Sequence, residues 1–139
     1  MRDELRVAAT MANMRQVCDF VRERATRLGL DEDVVFDIDV AVEEAATNIA
    51  RHAYESGRAG DVQVGIEVTD REVRLALTDW GKPFEADAAH LAVDVPPELR
   101  AEGGMGVLLI EELMDEVART TSATPGGPNV LTMVKHIGR

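Results

Sequence analysis

Cations are scarce in this 139-residue chain: 15 Lys and Arg stand against 26 Asp and Glu, a formal net charge of −11. That balance excludes general affinity for nucleic acid or anionic lipid, which needs clustered positive charge. Cysteine occurs once, as Cys18, so no internal disulfide forms and a reducing cytoplasmic setting is expected. No apolar run approaches the roughly 20 residues of a membrane span. The charged start Met1-Arg2-Asp3-Glu4-Leu5-Arg6 lacks the apolar core of a secretory signal. There is no G-x-x-x-x-G-K-[ST] element, which excludes an ordinary P-loop. His52, His90 and His136 have no ligand-spaced partners, so neither a zinc site nor a Ser-His-Asp arrangement is expected. What remains is ordinary for a soluble protein, with 45% hydrophobic residues, and the length suits one domain over residues 1–139.

Periodicity places the elements. Residues 6–10 are β-prone. Residues 11–28 carry Met14, Val17, Cys18, Val21, Ala25 and Leu28 at spacings of three and four, an amphipathic helix ended by Gly29. A second helix is expected over about residues 31–54, with Asp31 as N-cap and Val34, Ile38, Ala41, Val42, Ala45, Ile49 and His52 on its buried stripe. Glu43 and Thr47 then face solvent, and Glu44 and Asn48 flank the stripe. Residues 57–60 read as a turn. Residues 62–69 and 72–78 alternate as a hairpin across Asp70-Arg71. Residues 85–104, with Pro96-Pro97, form a long connection of the kind that is usually functional or disordered. A third helix is expected over about 105–115, and strands near 116–121 and 129–136. This order implies an α+β two-layer sandwich: a mixed, mainly antiparallel sheet covered on one face by three helices.

Three segments carry chemistry. Glu44 and Asn48, one helical turn apart, can face one ligand. A carboxylate can accept a hydroxyl proton, and an amide oxygen plus phosphates satisfies Mg²⁺. Alone, such a pair reads as an exposed polar helix face. Asp79 ends a strand before Gly81, where it can accept a hydrogen bond from adenine's amino group while glycine admits the base. Alone, it reads as a strand-ending turn. Gly103-Gly104-Met105-Gly106 opens a helix whose free N–H groups suit phosphate without a lysine, or else forms a hinge. His52 is expected to be a hydrogen-bonded core histidine, Cys18 a small core residue, and Trp80 has no assigned role.

With the three segments in this order, the chain resembles the GHKL ATPase superfamily, and within it the bacterial anti-sigma-factor serine/threonine kinases of the RsbW/SpoIIAB type. Glu44-Ala45-Ala46-Thr47-Asn48 with His52-Ala53-Tyr54 matches the N-box. Asp79-Trp80-Gly81-Lys82-Pro83-Phe84 matches the adenine box. Gly103-Gly104-Met105-Gly106, continued by Glu112-Leu113-Met114-Asp115-Glu116-Val117, matches the second glycine box.

The resemblance implies a Bergerat-type (histidine-kinase-like) ATP site. In it Asn48 holds Mg²⁺, Glu44 acts as base or orients the hydroxyl, and Asp79 reads adenine. Gly81, Gly104, Met105 and Gly106 shape the pocket, and residues 85–103 form its lid. It further implies a homodimer that inhibits an alternative sigma factor. Such a kinase phosphorylates a STAS-domain anti-anti-sigma protein, with no direct nucleic-acid or membrane contact. Family members often carry an arginine just before the glycine box. Here Glu102 stands in that neighbourhood and Arg100 two residues earlier, so Arg100 is the candidate cation for the terminal phosphate. The alternative reading is a regulatory adaptor of the same fold without kinase activity.

Overall fold

The computed structural model describes residues 2–54, 60–82 and 104–138. Its elements run β1 (Arg2–Ala8), α1 (Met11–Arg27), α2 (Glu32–His52), β2 (Asp61–Val68), β3 (Glu72–Asp79), α3 (Gly104–Leu113), β4 (Glu116–Thr120) and β5 (Asn129–His136). The five strands form one sheet in the order β1-β2-β3-β5-β4. Every described pairing is antiparallel, so the sheet is not mixed. The reason is the β4–β5 hairpin. Strand β4 runs in the same direction as β3, but β5 folds back and inserts between them, and no parallel neighbours result.

The alternation read from the sequence is the alternation that folds. Val62, Val64 and Ile66 of β2, Val73, Leu75 and Leu77 of β3, and Met133 of β5 all turn to one side and are essentially buried. They pack against Met14, Val17 and Val21 of α1, Ile38, Ala41, Val42, Ala45 and Ala46 of α2, and Ile110 of α3. Each of the Val, Leu, Ile and Met side chains, fully buried, contributes on the order of 1.5–3 kcal/mol. Helix α1 closes with a left-handed Gly29, φ +75°, where Leu30 N–H returns to the Ala25 carbonyl.

Cys18 is half-buried against this core, and burial pushes its thiol pKa up to about 11. A thiol held neutral in this way is a poor nucleophile.

Some boundaries move. Strand β1 covers Arg2–Ala8 rather than residues 6–10, because Thr10 is the N-cap of α1 and accepts a hydrogen bond from Asn13 N–H at 3.3 Å. Asp3 sits within the strand because Arg24 of α1 reaches it at 2.6 Å. Asp31 occupies the N-cap of α2 but makes no side-chain cap bond. Helix α3 begins at Gly104 and stops at Leu113, since Asp115 N–H turns away to the Val134 carbonyl. The lid, Arg100, Glu102, Gly103, His90 and most of the 57–60 turn lie outside the described residues.

The sheet has two distinguishable ends. Ala8, Asp61, Asp79 and Asn129 mark one; Arg2, Val68, Glu72 and His136 mark the other. Lys135 lies near the second end, where its ammonium donates to the Leu113 carbonyl at 2.7 Å and pairs with Asp37 at 2.9 Å. This one side chain pins the last turn of α3 to the first half of α2. Helix α3 packs on α2, and its last turn is the part fixed at this second end of the sheet. Lys135→Met is expected to lower stability by about 1–3 kcal/mol, because it leaves the mostly buried Asp37 unpaired. Urea denaturation measures this.

Candidate functional site

Asp79 is the fourth inward-facing residue of β3, after Val73, Leu75 and Leu77. Alternation therefore carries a carboxylate beneath the helices, where it is 8% exposed. Burying a carboxylate without partners is costly, and Oδ1 has two. It accepts from Gly81 N–H at 2.9 Å, closing a tight turn, and from Asn129 Nδ2 at 3.1 Å. Oδ2 accepts nothing from the described residues. One oxygen is thus committed to structure, and the other is left for a donor from outside.

Asn129 was not singled out in the sequence. It stands directly across from Asp79 in the β3–β5 register, also 8% exposed. Its Nδ2 further donates to the Gly81 carbonyl at 2.9 Å, and its Oδ1 accepts from Ser122 N–H at 3.3 Å. Only its place as the first residue of a strand hinted at this, and nothing local ties it to a residue 50 positions earlier.

The turn after β3 is held against the end of α2. Lys82 N–H donates to the Ala53 carbonyl at 2.7 Å. A Cβ on Gly81 would overlap the Ala53 carbonyl oxygen and come 2.5 Å from its carbonyl carbon. Glycine is therefore required by this contact with α2, whatever it does for a ligand. Gly81→Ala is expected to cost about 1–3 kcal/mol of stability, as overpacking does. Gly65→Ala, whose Cβ would make only an ordinary 3.7 Å contact with Glu4, should be close to neutral. Equal denaturation midpoints for the two variants would contradict this account of Gly81.

A second layer supports the turn. The Tyr54 hydroxyl donates to the Asp61 carbonyl at 2.6 Å and accepts from Trp80 N–H at 2.9 Å, with its ring pressed onto Gly60. Burial above all raises the Tyr54 pKa, so the hydroxyl keeps its proton. The Trp80 ring lies 4.2 Å from the Arg6 guanidinium, which also binds Asp61 at 3.0 Å. Leu5 and Val7 pack on the core, so Arg6 and the Trp80 ring occupy the opposite face of the sheet. Trp80 braces the turn from behind.

Glu43 is exposed and Glu44 half-buried, as read from the sequence. Asn48 is half-buried one turn later, and no described residue engages either side chain. Thr47 departs from its expected solvent position: it is half-buried because its hydroxyl folds back to the Glu43 carbonyl at 2.8 Å. His52 departs too, since its buried Nε2 has no hydrogen-bond partner among the described residues. Asn48 precedes Ala53 by five residues, about 8 Å of helix. The structure thus brings the end of the N-box helix and the adenine-box turn together, while Gly104 and Gly106 open α3, which packs on α2. No three His, Cys, Asp or Glu side chains converge among the described residues. A divalent cation here would take one protein oxygen from Asn48 and the rest from phosphate and water, a set that fits Mg²⁺.

Comparisons with known proteins show the family. A family model described as histidine kinase-like ATPase domain matches residues 7–135. The serine-protein kinase RsbW of Oceanobacillus iheyensis is 33% identical over 98 residues, covering 67% of this chain and 62% of that protein. RsbW of Staphylococcus aureus is 32% identical over 118 residues, covering 81% and 72%. RsbW of Bacillus subtilis is 34% identical over 100 residues, covering 67% and 61%. The chain therefore spans somewhat over three fifths of the length of two of these relatives. A crystal structure of the RsbU and RsbW domains of a Mycobacterium tuberculosis protein superposes on 99% of this chain and 33% of that one, with TM-score 0.69 and 22% identity.

Proposed function

The chain belongs to the histidine kinase-like ATPase domain family, and from that premise we propose that it is an ATP-dependent protein serine/threonine kinase acting as an anti-sigma factor. Its substrate in this reading is a STAS-domain anti-anti-sigma protein. Exchange between that protein and an alternative sigma factor regulates transcription in the cytoplasm, with the kinase as a homodimer. The RsbW relatives, named serine-protein kinases, support the activity. Among the described residues no helix is long and apolar enough to cross a membrane.

The observation that carries the reading is the divided carboxylate of Asp79. Its Oδ1 is locked by Gly81 and Asn129, and its Oδ2 remains for the amino group of adenine. Glu44 and Asn48, unengaged on the flank of α2, then meet the phosphate end. Glu44 takes the proton of a seryl or threonyl hydroxyl as its oxygen bonds to the γ-phosphorus. The bond from that phosphorus to the β,γ-bridging oxygen breaks, and ADP departs. Mg²⁺ held by Asn48 supplies neutralisation of the phosphate charge. N–H groups at the start of α3, with Arg100, share the charge on the transferred group. Such transfer relies mainly on positioning and charge stabilisation. The net charge of −11 makes those few positive contributions necessary.

Incubation with γ-labelled ATP, Mg²⁺ and the STAS-domain partner should place label on a partner serine or threonine. Trp80 is the lone tryptophan, and although its ring lies on the far face of the sheet its backbone belongs to the turn after Asp79, so its fluorescence should follow nucleotide binding. Absence of saturable binding at millimolar ATP would instead establish the adaptor reading, which Glu102 beside the glycine box favours.

A further inference from the structure

Phe36 is 64% exposed, the most exposed of the large hydrophobic side chains among the described residues. It lies on α2, the helix that packs against both α1 and α3, yet points away from the face that buries Ile38, Ala41 and Val42. On the same outward ridge stand Glu32 one turn before it, Asp33 beside it, half-buried Val40 one turn after, and Glu43 two turns after. From residue 31 to residue 50 the chain has no Lys or Arg. Among the described residues Glu32, Asp33 and Glu43 make no ion pair. The flanking cations are already engaged: Arg22 with Asp39 and Asp19, and Lys135 with Asp37. An apolar ring thus projects from a surface whose carboxylates are unneutralised.

That combination discriminates among occupants. A second copy would set like-charged ridges against each other, and anionic lipid or nucleic acid would meet the same repulsion. A cationic protein surface with an apolar socket gains on both counts, because burial of the ring removes apolar area and the surrounding lysines or arginines meet unpaired carboxylates. We infer that the outward ridge of α2, Glu32, Asp33, Phe36, Val40 and Glu43, is a docking surface for a protein partner that presents an apolar socket rimmed by basic residues. The ridge is centred on Phe36, in the half of α2 that Asp37 and Lys135 anchor at the sheet end opposite Asp79, and its far member Glu43 is exposed where the adjacent Glu44 is half-buried. It is therefore separate from the candidate nucleotide site and independent of the kinase reading.

The test uses the full chain and a fluorescein-labelled amphipathic helical peptide of alternating Lys and Leu faces, with a scrambled non-amphipathic peptide of the same composition. The amphipathic peptide should bind more tightly than the scramble. Phe36→Ala should weaken it roughly tenfold, as loss of an interface aromatic does. Phe36→Leu should largely restore binding, and the triple change Glu32→Gln, Asp33→Asn, Glu43→Gln should weaken it and flatten its salt dependence. Glu23→Gln on α1 should leave it unchanged. The exposed Phe36 variants should keep the wild-type thermal midpoint and nucleotide affinity. Equal binding of both peptides, or Phe36→Ala at wild-type affinity, would overturn the inference. So would a change of oligomeric state in Phe36→Ala, read by sedimentation, since that would make a second copy the occupant.

Discussion

Glu44→Gln is expected to abolish phosphate transfer while leaving nucleotide affinity within about twofold of wild type. The substitution keeps the shape of the side chain and removes only its capacity to take a proton. No described residue depends on the Glu44 carboxylate, so the fold has no reason to respond. A positioned general base contributes roughly 10²–10⁴ in rate. The single-turnover transfer rate to the STAS-domain partner should fall by that amount, with ATP binding, followed through Trp80, little changed. A rate equal to wild type would remove Glu44 from the chemistry. The same change at Glu43, exposed and on the outward ridge, should leave transfer intact. That pair of variants separates two adjacent glutamates that composition alone treats as equivalent.

Asp79→Asn should weaken ATP binding by about a hundredfold. An asparagine can keep Oδ1 where Gly81 N–H and Asn129 Nδ2 both donate to it, so the turn survives and stability should change by no more than about 1 kcal/mol. The outward oxygen, however, becomes an amino group. It then faces the amino group of adenine donor to donor, where a hydrogen bond to a charged acceptor worth about 1.5–3 kcal/mol had been. Guanine carries a carbonyl at that ring position, so the variant should also narrow or reverse the preference for ATP over GTP. Calorimetric titration with both nucleotides measures this without relying on the neighbouring tryptophan. Retained ATP affinity with retained selectivity would show that Asp79 serves the turn and nothing else.

Much of the candidate site is legible in the sequence because its signals are local. Glu44 and Asn48 are one turn apart on a helix whose apolar spacing is unmistakable, and Asp79 and Gly81 end a strand whose alternation is equally clear. The identity of Gly81 could be read as admitting a base. Its closest constraint turned out to be the Ala53 carbonyl, which only the docking of α2 on the turn creates. Asn129 escaped notice because hydrogen bonding across a sheet depends on register, and register between strands 50 residues apart leaves no trace in either strand's sequence. His52 was expected to be hydrogen-bonded from its place on the stripe, but a helical projection does not say what faces it, and its Nε2 finds no partner among the described residues.

Periodicity, caps and charge determined by themselves the eight described elements, the amphipathic faces of α1 and α2, the hairpin at Asp70-Arg71 and the need for help in attracting an anionic ligand. Each of these depends on residues within a few positions of one another, or on a sum over the whole chain. Tertiary structure alone decided that β5 inserts between β3 and β4 and leaves every described pairing antiparallel. It also set Asn129 against Asp79, and let Lys135 pin the end of α3 to α2. Those outcomes follow from which buried faces can close over one another at once, a condition on all the elements together that no single stretch of sequence contains.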